Sequence, residues 1–125
     1  MRIVAIDHVQ LAMPAGGETL ARNFYEGILG IPEVPKPTER AKRGGAWFEH
    51  NNVRVHLGVD PSFVPAKKAH PGFVVDDLEG LIEKLERAGY RTAVESADYG
   101  HRAFVHDPFG NRIELIASDR SIARG

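Results

Sequence analysis

Four side chains able to bind a metal ion occupy matching places along this sequence. They are His8 in "AIDHVQLAMP", His56 in "NVRVHLGV", His70 in "AHPGFVVDDL" and Glu114 in "NRIELIA". Three imidazoles and one carboxylate suit a borderline divalent ion such as Zn²⁺, Fe²⁺, Mn²⁺, Co²⁺ or Ni²⁺. Two histidines and a carboxylate on one side of such an ion leave positions open for water or substrate, as catalysis requires. The work an ion would do there is to polarise a substrate oxygen or to acidify a bound water. The chain has no cysteine, which excludes disulfides, thiolate metal sites and cysteine nucleophiles, so any metal must be held by histidines and carboxylates.

The elements that must carry these residues can be read from periodicity. In "RIVAIDHVQLAM", Ile6, His8 and Gln10 alternate with Val9 and Leu11, a period of two that predicts a strand with one apolar and one polar face. After "PAGG", the stretch "ETLARNFYEGILG" carries Leu20, Phe24 and Ile28 at four-residue steps beside Ala21, Tyr25 and Leu29. This spacing predicts an amphipathic helix with Gly30 at its C-terminus. The proline-rich, basic stretch from Ile31 to Gly45 reads as a long connection or irregular edge strand. "AWFEHNNVRVHLGV" then reads as two strands joined by an Asn-Asn turn. The second half repeats the plan. "HPGFVV" is a short strand, Asp76 with Glu79 is the expected helix start, and Leu78, Leu81, Ile82, Leu85 and Ala88 form a helical stripe ending at Gly89. "YRTAVES", "HRAFVH" and "NRIELIA" follow as strands, with "DPFGN" as the turn between the last two.

Both halves therefore run strand, helix, strand, strand, strand. The offsets are nearly constant: 62 residues from His8 to His70, 59 from Gly30 to Gly89 and 58 from His56 to Glu114. Such offsets are what a duplication with small loop deletions leaves. The expectation is one α+β domain over residues 1–125, built of two modules at about residues 3–59 and 69–117, with "PAKKAHP" as the linker. Strand parity puts Val53, Val55 and Leu57 on one face and Arg54 and His56 on the other. It likewise separates Ile113 and Leu115 from Arg112 and Glu114. If the halves associate through their polar faces, His8, His56, His70 and Glu114 can converge.

Composition narrows the function classes. A net charge of −1 argues against a nucleic-acid binder. No apolar run approaches the ~20 residues that span a bilayer, and the N-terminus lacks the pattern of a signal peptide, so a cytoplasmic protein without membrane partners is expected.

The segments "IDHVQLAMP", "ARNFYEGILGI", "HPGFVVDDL" and "HDPFGNRIEL" resemble the vicinal oxygen chelate superfamily, which includes glyoxalase I, extradiol dioxygenases, fosfomycin-resistance transferases and bleomycin-binding proteins. The resemblance runs from about residue 3 to 117. It implies two tandem βαβββ modules whose curled mixed sheets form a cleft, with a divalent metal ion held by residues matching His8, His56, His70 and Glu114. It also implies a homodimer, in which the modules of one cleft can come from one chain or two. His56 stands where glyoxalase I typically has a glutamate, so the two-glutamate proton shuttle of that enzyme cannot be copied. Val9 stands where a fosfomycin-resistance enzyme has Ser or Thr after the first histidine. A dioxygenase calls for a further His and Tyr, for which His101, His106 and Tyr99 are the candidates.

For a small-molecule substrate, Arg54 and Arg102 can grip an anionic group, since guanidinium matches carboxylate geometry in a fork, while Trp47 and Phe104 can line an apolar pocket. Arg112 reads as a surface residue solvated or paired with Glu49 or Glu95. His50 reads as an exposed turn residue, and His106 as structural or at the rim. The function expected is a metal-dependent enzyme acting on a small substrate through bidentate oxygen chelation, whether lyase, isomerase, thiol transferase or dioxygenase. The alternative is a non-catalytic small-molecule or drug-binding protein of the same fold.

Overall fold

The computed structural model describes residues 1–97 and 100–118. The chain falls into two compact units, residues 1–64 and the chain from Pro65 onward, each built on a four-stranded mixed sheet.

In the first unit the strands are β1 (Val9–Met13), β2 (Glu33–Val34), β3 (Ala46–His50) and β4 (Val53–Val59), ordered β1-β4-β3-β2. β1 runs parallel to β4, and β3 is antiparallel to both β4 and β2. Val55 and Leu57 alternate inward on β4, and with Met13, Phe48, Phe24 and Tyr25 they form the core. Tyr25 stacks on Phe48 with ring centroids 5.5 Å apart and meets Phe24 edge-on at 5.0 Å. The β3–β4 turn holds Asn51 at φ 53°, a left-handed position that asparagine tolerates.

Two expectations are corrected here. The first strand does not begin near residue 3: residues 1–8 precede β1 and are exposed. Arg54 reaches the Asp7 carbonyl and carboxylate with its guanidinium, each at 3.3 Å, so a side chain rather than a ladder of backbone bonds ties this segment to β4. Nor does one regular helix cover "ETLARNFYEGILG". Helix α1 (Glu18–Ala21) passes into a π-helical turn at Arg22–Glu26, with Gly27 N–H bonding Arg22 O at 3.1 Å and Leu29 N–H bonding Phe24 O at 2.9 Å. The wider turn shifts the phase of the stripe. Ala21, Phe24 and Tyr25 are buried while Leu20 stays 52% exposed. Within the proline-rich connection lie β2 and a short helix, α2 (Thr38–Ala41).

The second unit repeats this order as β5-β8-β7-β6, from β5 (Gly72–Val75), β6 (Ala93–Ala97), β7 (Gly100–His106) and β8 (Arg112–Ala117). Again the first and last strands pair in parallel. Helix α3 (Leu78–Arg87) presents Leu78 and Leu85 to a core with Ala103, Val105, Ile113 and Leu115. Its N-cap is Asp77 rather than Asp76: the Asp77 carboxylate accepts from the Gly80 N–H at 3.0 Å, satisfying a donor that the first turn leaves unpaired. The turn after β7 is organised by a buried carboxylate. Asp107 Oδ1 accepts from Phe109 N–H and Asn111 N–H at 2.9 and 2.8 Å, and Oδ2 accepts from the Asn111 amide at 2.9 Å.

The registers make the duplication explicit. Gln10 pairs with His56 and Trp47 with His56 in the first sheet, and Gly72 pairs with Glu114 and Phe104 with Glu114 in the second. His8 thus corresponds to His70, His56 to Glu114, and Trp47 to Phe104.

Candidate metal-binding and substrate site

In the second unit, His70 and Glu114 meet. His70 Nε2 is 2.9 Å from Glu114 Oε1, and His70 Nδ1 is 2.7 Å from the Lys68 carbonyl oxygen. A carbonyl oxygen can only accept, so Nδ1 carries hydrogen, and the neutral imidazole then turns a lone pair at Nε2 toward a carboxylate. Two acceptors facing each other need a cation at their shared edge, either a proton on Nε2 or a metal ion. The second carboxylate oxygen accepts from the Arg102 guanidinium. Burial pushes the Glu114 carboxyl up, but hydrogen bonds from His70 and Arg102, with their charges, outweigh it and hold the group below the ordinary carboxylate range. Phe104 lies edge-on to His70 at 5.6 Å, and the Arg112 guanidinium rests 4.3 Å over its ring. Arg112 is therefore stacked on an aromatic face, not paired with Glu49 or Glu95.

In the first unit, three rings form a stack. Trp47 and His56 lie 3.8 Å apart and 3° from parallel, and His8 covers the other side of His56 at 4.4 Å. This leaves His56 only 5% exposed. Its Nε2 donates to Glu49 Oε2 at 2.7 Å. His8 Nδ1 donates to Asp7 Oδ2 at 2.9 Å. Asp7 is exposed, and the His8 hydrogen bond, aided by the charge of Arg54 against a smaller cost of desolvation, keeps its carboxyl below the ordinary range.

Each of the three histidines thus gives one ring N–H to an oxygen acceptor, which fixes the tautomer and leaves the other nitrogen as the ligand, as in protein metal sites. The donor set fits a divalent ion in chemistry. Among the described residues, no group of three or more His, Asp or Glu side chains is gathered as a metal-binding cluster; the structure assembles the pairs His8/His56 and His70/Glu114.

Of the other expected residues, Arg54 is engaged by Asp7 and Arg102 by Glu114, so both brace candidate ligands or their neighbours. His101 Nδ1 contacts Ser96 Oγ at 2.5 Å, His50 is an exposed turn residue beside Asn51, and His106 is exposed at the end of β7. Tyr99 lies outside the described residues. Glu49 and Asp7, which orient His56 and His8, were not expected. Parity puts Glu49 on the face of Trp47, and that is the signal from which its role could have been read.

A duplicated plan, with a histidine just before the first strand and a second donor on the last strand of each unit, defines a class of two-module proteins. The sequence matches the Glyoxalase/Bleomycin resistance protein/Dioxygenase superfamily over residues 5–115, and the chain belongs to that superfamily. A solved glyoxalase family protein from Bacillus anthracis is similar at 44% identity with a TM-score of 0.88, covering 94% of this chain and 97% of its own. The fosfomycin resistance protein FosX from Listeria monocytogenes shares the fold at 15% identity and a TM-score of 0.76, covering 99% of this chain and 100% of its own. So does a lactoylglutathione lyase from Agrobacterium tumefaciens, at 18% identity and a TM-score of 0.68, with 94% and 96% covered. Comparison with curated proteins found no match. Among the described residues no helix is long and apolar enough to cross a membrane.

Proposed function

We propose that the chain is a metal-dependent enzyme that acts on a small substrate through two neighbouring oxygens, with His70 and Glu114 holding the ion and His8 and His56 as the further donors. The observation that carries this reading is the facing pair His70 Nε2 and Glu114 Oε1, 2.9 Å apart, with the imidazole tautomer set from behind by the Lys68 carbonyl. When bound, such an ion supplies a Lewis-acid centre that takes two adjacent substrate oxygens and stabilises charge developing on one of them.

The protein's own residues do the rest. Arg102 holds one oxygen of Glu114 and thereby aims the other at His70. Glu49 and Asp7 do the same for His56 and His8. Trp47 and Phe104, equivalent in the two sheets, supply flat apolar surface beside the donors. The neighbours that share the fold include a lactoylglutathione lyase and a fosfomycin resistance protein, and neither chooses the reaction of this chain. The second reading, a non-catalytic binder, draws on the Trp47–His56–His8 stack, in which both faces of His56 are already covered.

The reading is tested by the thermal midpoint of chelator-dialysed protein with added Zn²⁺, Fe²⁺, Mn²⁺, Co²⁺ or Ni²⁺. An ion at about 100 times its Kd stabilises by about 2.7 kcal/mol, a rise of about 10 °C at this size. The rise is expected in wild type and absent in Glu114→Gln. No rise with any ion would favour the binder.

A further inference from the structure

The first sheet carries a hollow beside the C-terminal end of β4. It is about 190 Å³ in volume and is bordered by Gln10, Lys36, Arg40, Arg43, Trp47 and Gly58, among others. Gln10, Trp47 and Gly58 lie on the face of the sheet that bears His56, since Gln10 and Trp47 both pair with His56 and Gly58 follows it by two. Glycines open the space. A side chain at Gly58 would run into the Gln10 amide, and one at Gly45 into the Leu57 carbonyl. Gly44 and Gly45 both take positive φ, 76° and 82°, so a chain reversal suited to glycine brings the α2 segment with Arg40 and Arg43 to the rim. By register, Gly45 and Gly58 correspond to Arg102 and Ile116 of the second sheet. Where that sheet places an arginine against its own carboxylate, the first has a glycine.

Three cations border the hollow, and no carboxylate does. Of the acids near it, Glu18 accepts from the Gly45 N–H at 2.7 Å and Glu33 is held by Arg22 at 2.6 Å, while Glu39 lies beside Arg40 on α2. Lys36 is turned toward the hollow by donating to the Gly44 carbonyl. Among the described residues none of the three cations is in an ion pair. Like charges grouped on one rim repel, and an anion seated among them relieves this while offering the guanidinium forks a matching acceptor.

We infer that this hollow binds the anionic end, a carboxylate or phosphate group, of a substrate whose flat or apolar body lies along Trp47. The inference rests on the reading that the His56 face is the substrate side, and it adds the charge of the substrate to that reading.

Trp47 is the chain's single tryptophan, so its fluorescence reports the hollow directly. Chelator-dialysed protein is titrated with phenyl phosphate, phenylacetate and inorganic phosphate at low salt, with calorimetry in parallel. A saturable change with phenyl phosphate or phenylacetate is expected, and the tighter of the two names the anionic group. Loss of one charge-assisted contact weakens binding about tenfold, so Arg40→Gln/Arg43→Gln should weaken it about a hundredfold. Raising salt from about 0.05 M to 0.5 M should weaken it too. Both substitutions are on exposed side chains, and circular dichroism checks the fold. No saturable signal with any probe up to about 10 mM, or equal affinity in the double variant, would overturn the inference. Metal uptake is measured on a separate portion of the same dialysed protein after adding the divalent ions named above and removing the excess. Anion binding without metal uptake would sink the metal reading alone, and metal uptake without anion binding would sink the hollow alone.

Discussion

Removing Arg102 should cost stability in a way that depends on pH. In Arg102→Met a long apolar chain replaces the guanidinium, and Glu114 keeps only His70. The two side chains of the Arg102–Glu114 pair are 13% and 12% exposed, so the pair lies in a partly desolvated setting. Breaking a buried pair from one side costs about 3–5 kcal/mol. Because His70 remains, the expected loss is nearer 2–3 kcal/mol at neutral pH by the same principle. With an m-value of about 1.5 kcal/mol/M, the urea midpoint should fall by about 1.5 M. The pH dependence follows from the direction of the Glu114 shift, which is downward on folding. A carboxyl depressed in the folded state contributes stability that is complete above its unfolded value and lost as pH falls through its folded value. Without Arg102, burial is less opposed and the depression shrinks. The gap between wild type and variant should therefore be widest at neutral pH and close on acidification. Urea melts in chelator across the acidic range measure both. A loss under about 0.5 kcal/mol at neutral pH, or a gap that keeps its size in acid, would refute the reasoning.

Three further outcomes follow from local geometry. Asp107→Ala strips the β7–β8 turn of an acceptor for two backbone N–H groups and the Asn111 amide, so a loss of about 3 kcal/mol and a fall of about 10–15 °C in Tm are expected by calorimetry. Gly45→Ala must hold φ near 82° with its methyl against the Leu57 carbonyl, and should lose about 2–4 kcal/mol in denaturant melts, whereas an unchanged midpoint would deny the strain. The exposed Glu86 accepts from the Thr92 hydroxyl and N–H at 2.7 Å each, and the hydroxyl bond leads in holding its carboxyl below the ordinary range. In Thr92→Val its NMR titration midpoint should move up, and the stability this contact adds at neutral pH should fade as pH drops through the folded value.

Much of the fold was legible because strand parity and glycine punctuation are local signals. Val55 and Leu57 on β4, and Ile113 and Leu115 on β8, point to the core as their alternation requires, and both helical segments are followed by a glycine at positive φ, Gly30 and Gly89. The π-helical turn was not legible. Its effect is a one-residue change of phase, which a four-residue stripe of Leu20, Phe24 and Ile28 does not reveal. The start of β1 was misplaced for a similar reason: Ile3, Val4 and Ile6 are apolar, yet they are exposed, and apolar type alone does not say where a parallel partner begins. The cap fell on Asp77 because either of two adjacent aspartates reads as a cap, and backbone angles choose between them. At the site, donor types were visible and their orienting partners were not. Glu49 to His56 and Lys68 to His70 are set by register and by a loop carbonyl, which carry no residue-type signal. The basic hollow was hidden as well, because its cations come from a connection and its space comes from glycines on β4 and before β3.

The central claim is that a carboxylate and histidines of this chain serve one metal ion, and metal content tests it most directly. Untagged protein is purified without chelator and assayed by elemental analysis beside Glu114→Ala. The account predicts about one first-row divalent ion per chain in wild type and a loss of most of it in the variant. Equal, sub-stoichiometric metal in the two proteins would contradict it.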